Sequence, residues 1–276
     1  MLSRILTVAG QEIRIGIRNR WILLAAVILA VFSLALALLG SAPAGTLGVD
    51  RLTITVASLA SLSVYLVPLI ALLLAFDAIC GEVERGTLLM TLSCPISRFE
   101  FLLGKAAGHT LVLSFALVAG YGLTAGLLVL LGSGSVAGLT DFLRLIATSI
   151  LLGICFLAVG YLLSSLTRQS RTAAAASIAA WLVLVVLYDL ALLGALVANP
   201  SGAFASEFFP YAVLINPADA FRLFNLAALG ASDLVGGMAG VTEALPFDPA
   251  LALASLAAFA ALTFAASVLL VRRIAP

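Results

Sequence analysis

The chain alternates long apolar runs with short polar stretches. Six runs approach the ~20 residues that a helix needs to cross a bilayer: 21–39, 52–79, 106–131, 139–166, 172–197 and 250–271. Pro68 interrupts the second and removes a helical hydrogen bond, which predicts a kink. Ahead of the first run, residues 3–19 set Arg4, Thr7, Gln11, Arg14 and Arg18 three or four apart on one helical face. Ile5, Leu6, Ala9, Ile13 and Ile17 fall on the other. This pattern fits a basic amphipathic helix lying on an anionic cytoplasmic leaflet, with a plain polar lead-in as the alternative. Ser41-Ala42-Pro43-Ala44 faintly resembles a signal-peptidase site. The run before it is too long for a signal core, so a retained helix is expected.

Between the second and third runs, residues 81–105 concentrate charge: Glu82, Glu84, Arg85, Arg98, Glu100 and Lys105, with Asp77 just upstream. The span should end near Ile79. One or two helical turns then carry Leu88, Leu89, Met90 and Leu92, and Pro95 stops them, because the residue before a proline avoids the helical region. Ser97-Arg98-Phe99-Glu100 is a capping box, so a new helix starts at Ser97 and runs into the third span. The result is a short helix across the mouth of the bundle, fixed at both ends to membrane helices. An ordinary structured loop is the alternative.

Residues 199–249 form the longest stretch that does not span. Asn216-Pro217-Ala218-Asp219 is a helix start, with asparagine as cap, proline in the first turn and an acid near the positive end of the dipole. The helix should run to about Leu229, with Gly230 past its end, and is too short to span. Phe221, Leu223, Phe224, Leu226 and Leu229 make it apolar enough to rest on the membrane, on a partner, or as a cap over the bundle. Phe204, Phe208 and Phe209 precede it and suit the outer leaflet.

Composition turns these runs into a class. Charged residues are 10% of the chain, apolar residues 63%, and mean hydropathy is +1.24; ordinary soluble domains carry roughly 25% charge. The solvent for most of this surface is lipid, and the chain reads as an all-α integral membrane protein. A net charge of +1 argues against a nucleic-acid binder. With six spans, Arg4, Arg14, Arg18, Arg20, Arg85, Arg98, Lys105, Arg168, Arg171, Arg272 and Arg273 fall on one side, and only Arg51, Arg144 and Arg222 on the other. The positive-inside rule places both termini in the cytoplasm. The outer segments are acidic, with Asp50, Asp141, Glu207, Asp219, Asp233, Glu243 and Asp248. Gly104/Gly108, Gly122/Gly126 and the stripe Ser149, Gly153, Gly160, Ser164 let helix backbones approach closely.

Candidate chemistry is sparse. Gly104-Lys105 lacks both the upstream glycine and the following hydroxyl residue of a phosphate-binding loop. His109 is the single histidine, so no HExxH motif exists and an enzyme is not expected. Asp189 lies inside the fifth run; an intramembrane carboxylate is costly and suggests a role in a translocation path or helix coupling, unless it reaches water. Cys80, Cys94 and Cys155 form no CxxC pair and read as reduced, buried thiols. Together with Met90 and Met238 they trace no path of soft ligands, and no metal site is assigned.

The pattern of Glu82, Gly86-Thr87, Leu92, Pro95, Ser97-Arg98 and Lys105 resembles the cytoplasmic signature of ABC-2-type transport permeases. The similarity extends to the six spans, the basic N-terminal helix and the long last external region, so residues 1–276 read as a single transmembrane permease domain. Arg18-Asn19-Arg20-Trp21, the FDxxxGExERGT stretch at 76–87 and LINPADAFR at 214–222 are most similar to membrane subunits of nitrous-oxide-reductase maturation transporters. The resemblance implies a coupling helix within 81–105 that docks on a separate cytoplasmic ATPase, which would hold the ATP and magnesium. Glu82, Glu84, Arg85, Gly86, Thr87, Pro95, Ser97 and Arg98 would belong to that junction. It further implies a homodimer in the bacterial inner membrane and a periplasmic partner that helps deliver copper, met by a platform of Asn216, Pro217, Asp219, Phe221 and Arg222. No cofactor is expected in this chain. An exporter of a lipid or small molecule, and a membrane scaffold without ATP coupling, are the alternatives.

Overall fold

A computed structural model describes residues 1–18, 20–39, 51–131, 136–198, 202, 204, 208–229 and 246–272. The sequence at 41–44, the acidic residues Asp50, Glu207, Asp233 and Glu243, and also Gly230, Met238 and Arg273 lie outside the described residues.

Helix α1 (Leu2–Arg18) is followed by α2 (Arg20–Leu39) and α3 (Arg51–Ala75). Two short helices, α4 (Cys80–Glu84) and α5 (Thr87–Ser93), lead into α6 (Arg98–Leu130) and α7 (Val136–Leu166). Helix α8 (Ser170–Trp181) passes through a π-helical segment, Leu182–Leu187, into α9 (Tyr188–Ala198). Then come α10 (Phe209–Ile215), α11 (Pro217–Ala228) and α12 (Ala250–Val271). Among the described residues, five stretches are long and apolar enough to cross a membrane: Thr55–Glu84, Arg98–Leu130, Gly138–Leu166, Ser170–Ala198 and Ala250–Val271. Helix α2 makes a sixth when taken with α1, from which it bends by 66°. Helix α3 runs unbroken through Pro68.

Helices α3 and α7 form the central pair, with α12 against α7, and α1 and α2 against α6. Lipid tails are as apolar as leucine, so helices associate through close packing and interhelical hydrogen bonds rather than by escaping water. The small residues show this. A Cβ on Gly160 would lie 2.5 Å from the Cβ of Ala75, and one on Gly104 2.6 Å from the Cβ of Val8. Gly108 is as tight, at 2.6 Å from the Cβ of Glu12 and 2.9 Å from the carbonyl oxygen of Ala9. Gly104 and Gly108 thus make the groove into which α1 settles. Gly122 and Gly126, at the same spacing, face open space.

Polar contacts stitch the helices further. Ser33 Oγ donates to Thr124 Oγ1 at 2.7 Å, and Ser63 Oγ pairs with Tyr121 Oη at 2.7 Å. The hydroxyl of Ser164 in α7 accepts from the backbone amides of Ile79 and Cys80, both at 3.0 Å, where α3 has ended in a turn. Those amides have no partner in a regular helix, and an interhelical oxygen satisfies them.

Three contacts bring distant parts of the chain to one end of the bundle. Arg98 Nη1 donates to the carbonyls of Val271 (3.0 Å) and Arg272 (2.6 Å), holding the end of α12 against the start of α6. Glu100 lies 3.7 Å from Arg4 and 3.8 Å from the amino terminus. Ser170, at the start of α8, contacts Asp77 and Glu84. The beginning of α1, the end of α12, the short helices and the turn at 167–170 therefore share a face. Helices α10 and α11 pack at the end of the bundle where α9 begins.

Helix α1 turns only a narrow stripe of small side chains and one acid toward the protein. The stripe against the protein holds Ala9, Glu12 and Gly16, whereas Leu6 and Ile17 are 61% and 69% exposed. The glycine groove of α6 admits small side chains, and the larger apolar ones are left for lipid.

Candidate functional site

The short helices are shaped by two glycines. Gly86 has φ = 71°, a left-handed conformation that glycine adopts at little cost, and this turns the chain from α4 into α5. At Gly81 any side chain would strike the carboxylate of Asp77. That carboxylate accepts from Arg85 Nη1 at 3.0 Å and from Ser170 Oγ at 2.5 Å. Ser170 also donates its backbone N–H to Glu84 Oε2 at 3.0 Å. The capping box forms: Ser97 Oγ accepts from the Glu100 amide at 3.1 Å, and Glu100 Oε2 accepts from the Ser97 amide at 2.8 Å.

The junction residues divide by exposure. Glu84, Arg85, Gly86, Pro95 and Ser97 are exposed, while Thr87 and Arg98 are half-buried. Helix α5 buries Leu88 and presents Leu89 (54% exposed) and Met90 (74%) outward. The side chain of Leu92 lies outside the described residues. Glu82 turns inward instead. Its Oε1 lies 2.6 Å from Lys105 Nζ, and its Oε2 is buried without a hydrogen-bond partner among the described residues.

Lys105 is the centre of a buried ionic cluster. It pairs with Glu12 of α1 as well as Glu82, and sits over the ring of Phe101 at 5.1 Å. Glu12 Oε2 lies 3.2 Å from His109 Nε2, and His109 Nδ1 lies 2.8 Å from Tyr161 Oη. Helices α1, α4, α6 and α7 thus meet in one set of charges. A cavity of about 500 Å³ opens beside it, lined at this end by Glu12, Asp77, Glu82, Arg85, Lys105 and His109. Glu12 escaped the sequence reading, although an acid at 3–4 spacing with Ala9 and Gly16 on an otherwise basic helix was the available signal.

A second cluster lies where α9, α10 and α11 meet. Asn216 caps α11, accepting from the Ala218 amide at 3.1 Å, and its Nδ2 donates to Asp219 Oδ2 at 2.9 Å. The same Nδ2 reaches the carbonyl of Leu184, inside the π-helical segment, at 2.5 Å. Arg222 Nη1 bridges Asp189 at 3.1 Å and Asp219 at 3.8 Å. The intramembrane carboxylate of Asp189 is therefore paired, as such a group requires. Burial raises the pKa of Asp219 above all; Arg222 and Asn216 pull it down, Asp189 adds to the rise, and the result is about 7.

Burial divides the expected platform residues. Asn216, Pro217, Asp219 and Phe221 are buried and Arg222 is half-buried, because α11 packs its apolar face on α3, α7 and α12. The exposed apolar side chains are those of Phe208, Tyr211 and Ile215. The cysteines also differ from expectation in one case. Cys80 and Cys155 are buried, but Cys94, beyond the end of α5, is exposed.

These arrangements stand beside clear similarities to known proteins. The family model described as "ABC-2 family transporter protein" matches residues 6–273. A relative from Pseudomonas aeruginosa PAO1, named "Probable ABC transporter permease protein NosY", is 40% identical over 269 residues, covering 97% of both chains. A relative of the same name from Stutzerimonas stutzeri is 40% identical over 251 residues, covering 90% of this chain and 91% of its own. The chain belongs to the ABC-2 family of transporter permeases.

Proposed function

We propose that this permease subunit carries the force of a separate cytoplasmic ATPase across the inner membrane to a process on the far side. The observation that carries the reading is α5: a short helix that exposes Leu89 and Met90 at the basic end of the bundle. Exposed apolar side chains flanked by Glu84 and Arg85 suit a groove on a partner protein. Helix α4, joined to α5 through Gly86, is tied to the spans that would move. Glu82 bonds to Lys105 of α6, Glu84 contacts Ser170 of α8, and Ile79 and Cys80 bond to Ser164 of α7.

The far-side process is copper-site maturation of nitrous oxide reductase. The 40% identity to two NosY permeases supports this, together with the stretches at 76–87 and 214–222. A periplasmic partner would meet Phe208, Tyr211 and Ile215. A second copy of the chain would pack on Ser170–Ala198, little of which is buried in one copy. The test is direct. The ATPase should co-purify with the native chain and not with Leu89→Glu/Met90→Glu, and cells carrying that variant should make copper-deficient reductase. Co-purification unchanged by the variant overturns the docking, and a fully loaded reductase without the chain overturns the maturation role.

A further inference from the structure

We infer that Arg98 is a positioning residue that passes movement of the short helices to α12, the last span, instead of meeting the ATPase. The inference rests on the coupling role proposed above and assigns one of its parts. Arg98 is the first residue of α6, directly after the cap Ser97. Its Nη1 donates to two backbone carbonyls, those of Val271 at 3.0 Å and Arg272 at 2.6 Å. Both lie at the end of α12, where helical oxygens lack intrahelical donors and the dipole is negative. A guanidinium meets both needs, being always charged and holding its donors in a rigid plane. The half-buried Arg98 is turned to α12, and its neighbours Ser97 and Phe99 are the exposed ones.

The chain on either side of this link is stiff. Helix α5 ends at Ser93, and only Cys94, Pro95, Ile96 and Ser97 separate it from Arg98. Pro95 restricts that connection, and the capping box of Ser97 and Glu100 fixes its far end. On the other side, α12 is one helix of 22 residues, about 33 Å long at 1.5 Å per residue. It packs mainly on α7 and α11 and touches α6 little. Arg98 therefore gives α6 a grip on a span that it otherwise barely meets. The far end of α12 reaches the outer helices. Phe247, just before α12, lies against Tyr211 of α10, with ring centroids 5.7 Å apart. A displacement of α5 is thus handed through two backbone carbonyls to a rod whose other end stands beside α10 and α11.

The test uses the permease–ATPase complex in nanodiscs, with spin labels on Leu166→Cys and Leu269→Cys, exposed positions near the ends of α7 and α12. Cys94→Ser removes the exposed native thiol. Trapping the ATPase with ATP and vanadate should change the label separation by about 1–2 Å, the scale of helix shifts between packed elements. Arg98→Gln should keep the ATPase bound and hydrolysing ATP, yet lose that change. Copper loading of the reductase should then fall at least about fivefold, the lower end of coupling between distant sites. Arg98→Lys keeps the charge and the donors and should recover both readouts. An unchanged label shift in Arg98→Gln overturns the inference, as does a loss that Arg98→Lys fails to recover. Loss of ATPase capture by a folded Arg98→Gln overturns it too, and makes Arg98 a docking residue. A native chain that captures no ATPase overturns the docking reading and this one with it; every other failure falls on Arg98 alone.

Discussion

Lys105 Nζ lies 2.6 Å from Glu82 Oε1, so the segment that follows the second span is held by charge to the helix that forms the third. Both side chains are largely buried, as is Glu12, the other partner of Lys105. Breaking such a set is more costly than replacing it. Lys105→Met leaves two buried carboxylates uncompensated and should destabilise the protein by about 3–5 kcal/mol. The triple variant Glu12→Gln/Glu82→Gln/Lys105→Met should recover most of that loss. Thermal unfolding in detergent, read for the single and triple variants side by side, tests this; equal losses would refute it.

Two glycine pairs of equal spacing should respond differently to the same substitution. Gly108→Ala forces a Cβ against Glu12 and the Ala9 carbonyl and should cost about 1–3 kcal/mol through overpacking. Gly122→Ala enters open space. It should stabilise a single copy by up to about 1 kcal/mol, because alanine is the better helix former. Melting temperatures of the two variants decide it. A loss at Gly122 would mean that this surface is covered in the assembly.

Gly86→Ala should cost about 1 kcal/mol, since φ = 71° is unfavourable to any residue with a Cβ. The larger effect should be on ATPase stimulation, because α5 would leave α4 at a different angle. Turnover of the assembled complex with and without the substitution measures it.

The pH dependence of stability should carry the mark of Asp219. Its carboxyl titrates near 7 in the fold against an ordinary value of 3.8. Between those values the folded state holds a proton that the unfolded state has lost. Stability should therefore fall as pH rises through this window and level off above about 7. The loss between about pH 5.5 and 7 should be on the order of 2 kcal/mol. Asp219→Asn should flatten that dependence in melting curves, and an equally steep curve in the variant would exclude Asp219 as its source.

Much of the architecture was written in local pattern. The spans follow from run length, and the starts of α6 and α11 from Ser97/Glu100 and Asn216, whose caps form within a few residues of the chain. The close approach at Gly104 and Gly108 was also legible, but its partner was not. Which helix enters a glycine groove depends on tertiary packing, so the buried face of α1 and the role of Glu12 stayed hidden. The π-helical segment at Leu182–Leu187 has no marker in its run of leucines and valines, and it meets Asn216 only through the fold. The burial of α11 was left as one of three alternatives for a related reason. Its apolar face was visible, but apolarity alone does not tell lipid, partner and bundle apart.

Ser164 has one further consequence. Its single oxygen holds both amides at the bend after α3, so the short helices rest on α7 at a fixed pivot. In the coupling proposed above, a push on α5 would turn the short helices about that pivot rather than slide them. Removing the hydroxyl, as in Ser164→Ala, would leave the lever intact and take away its fulcrum.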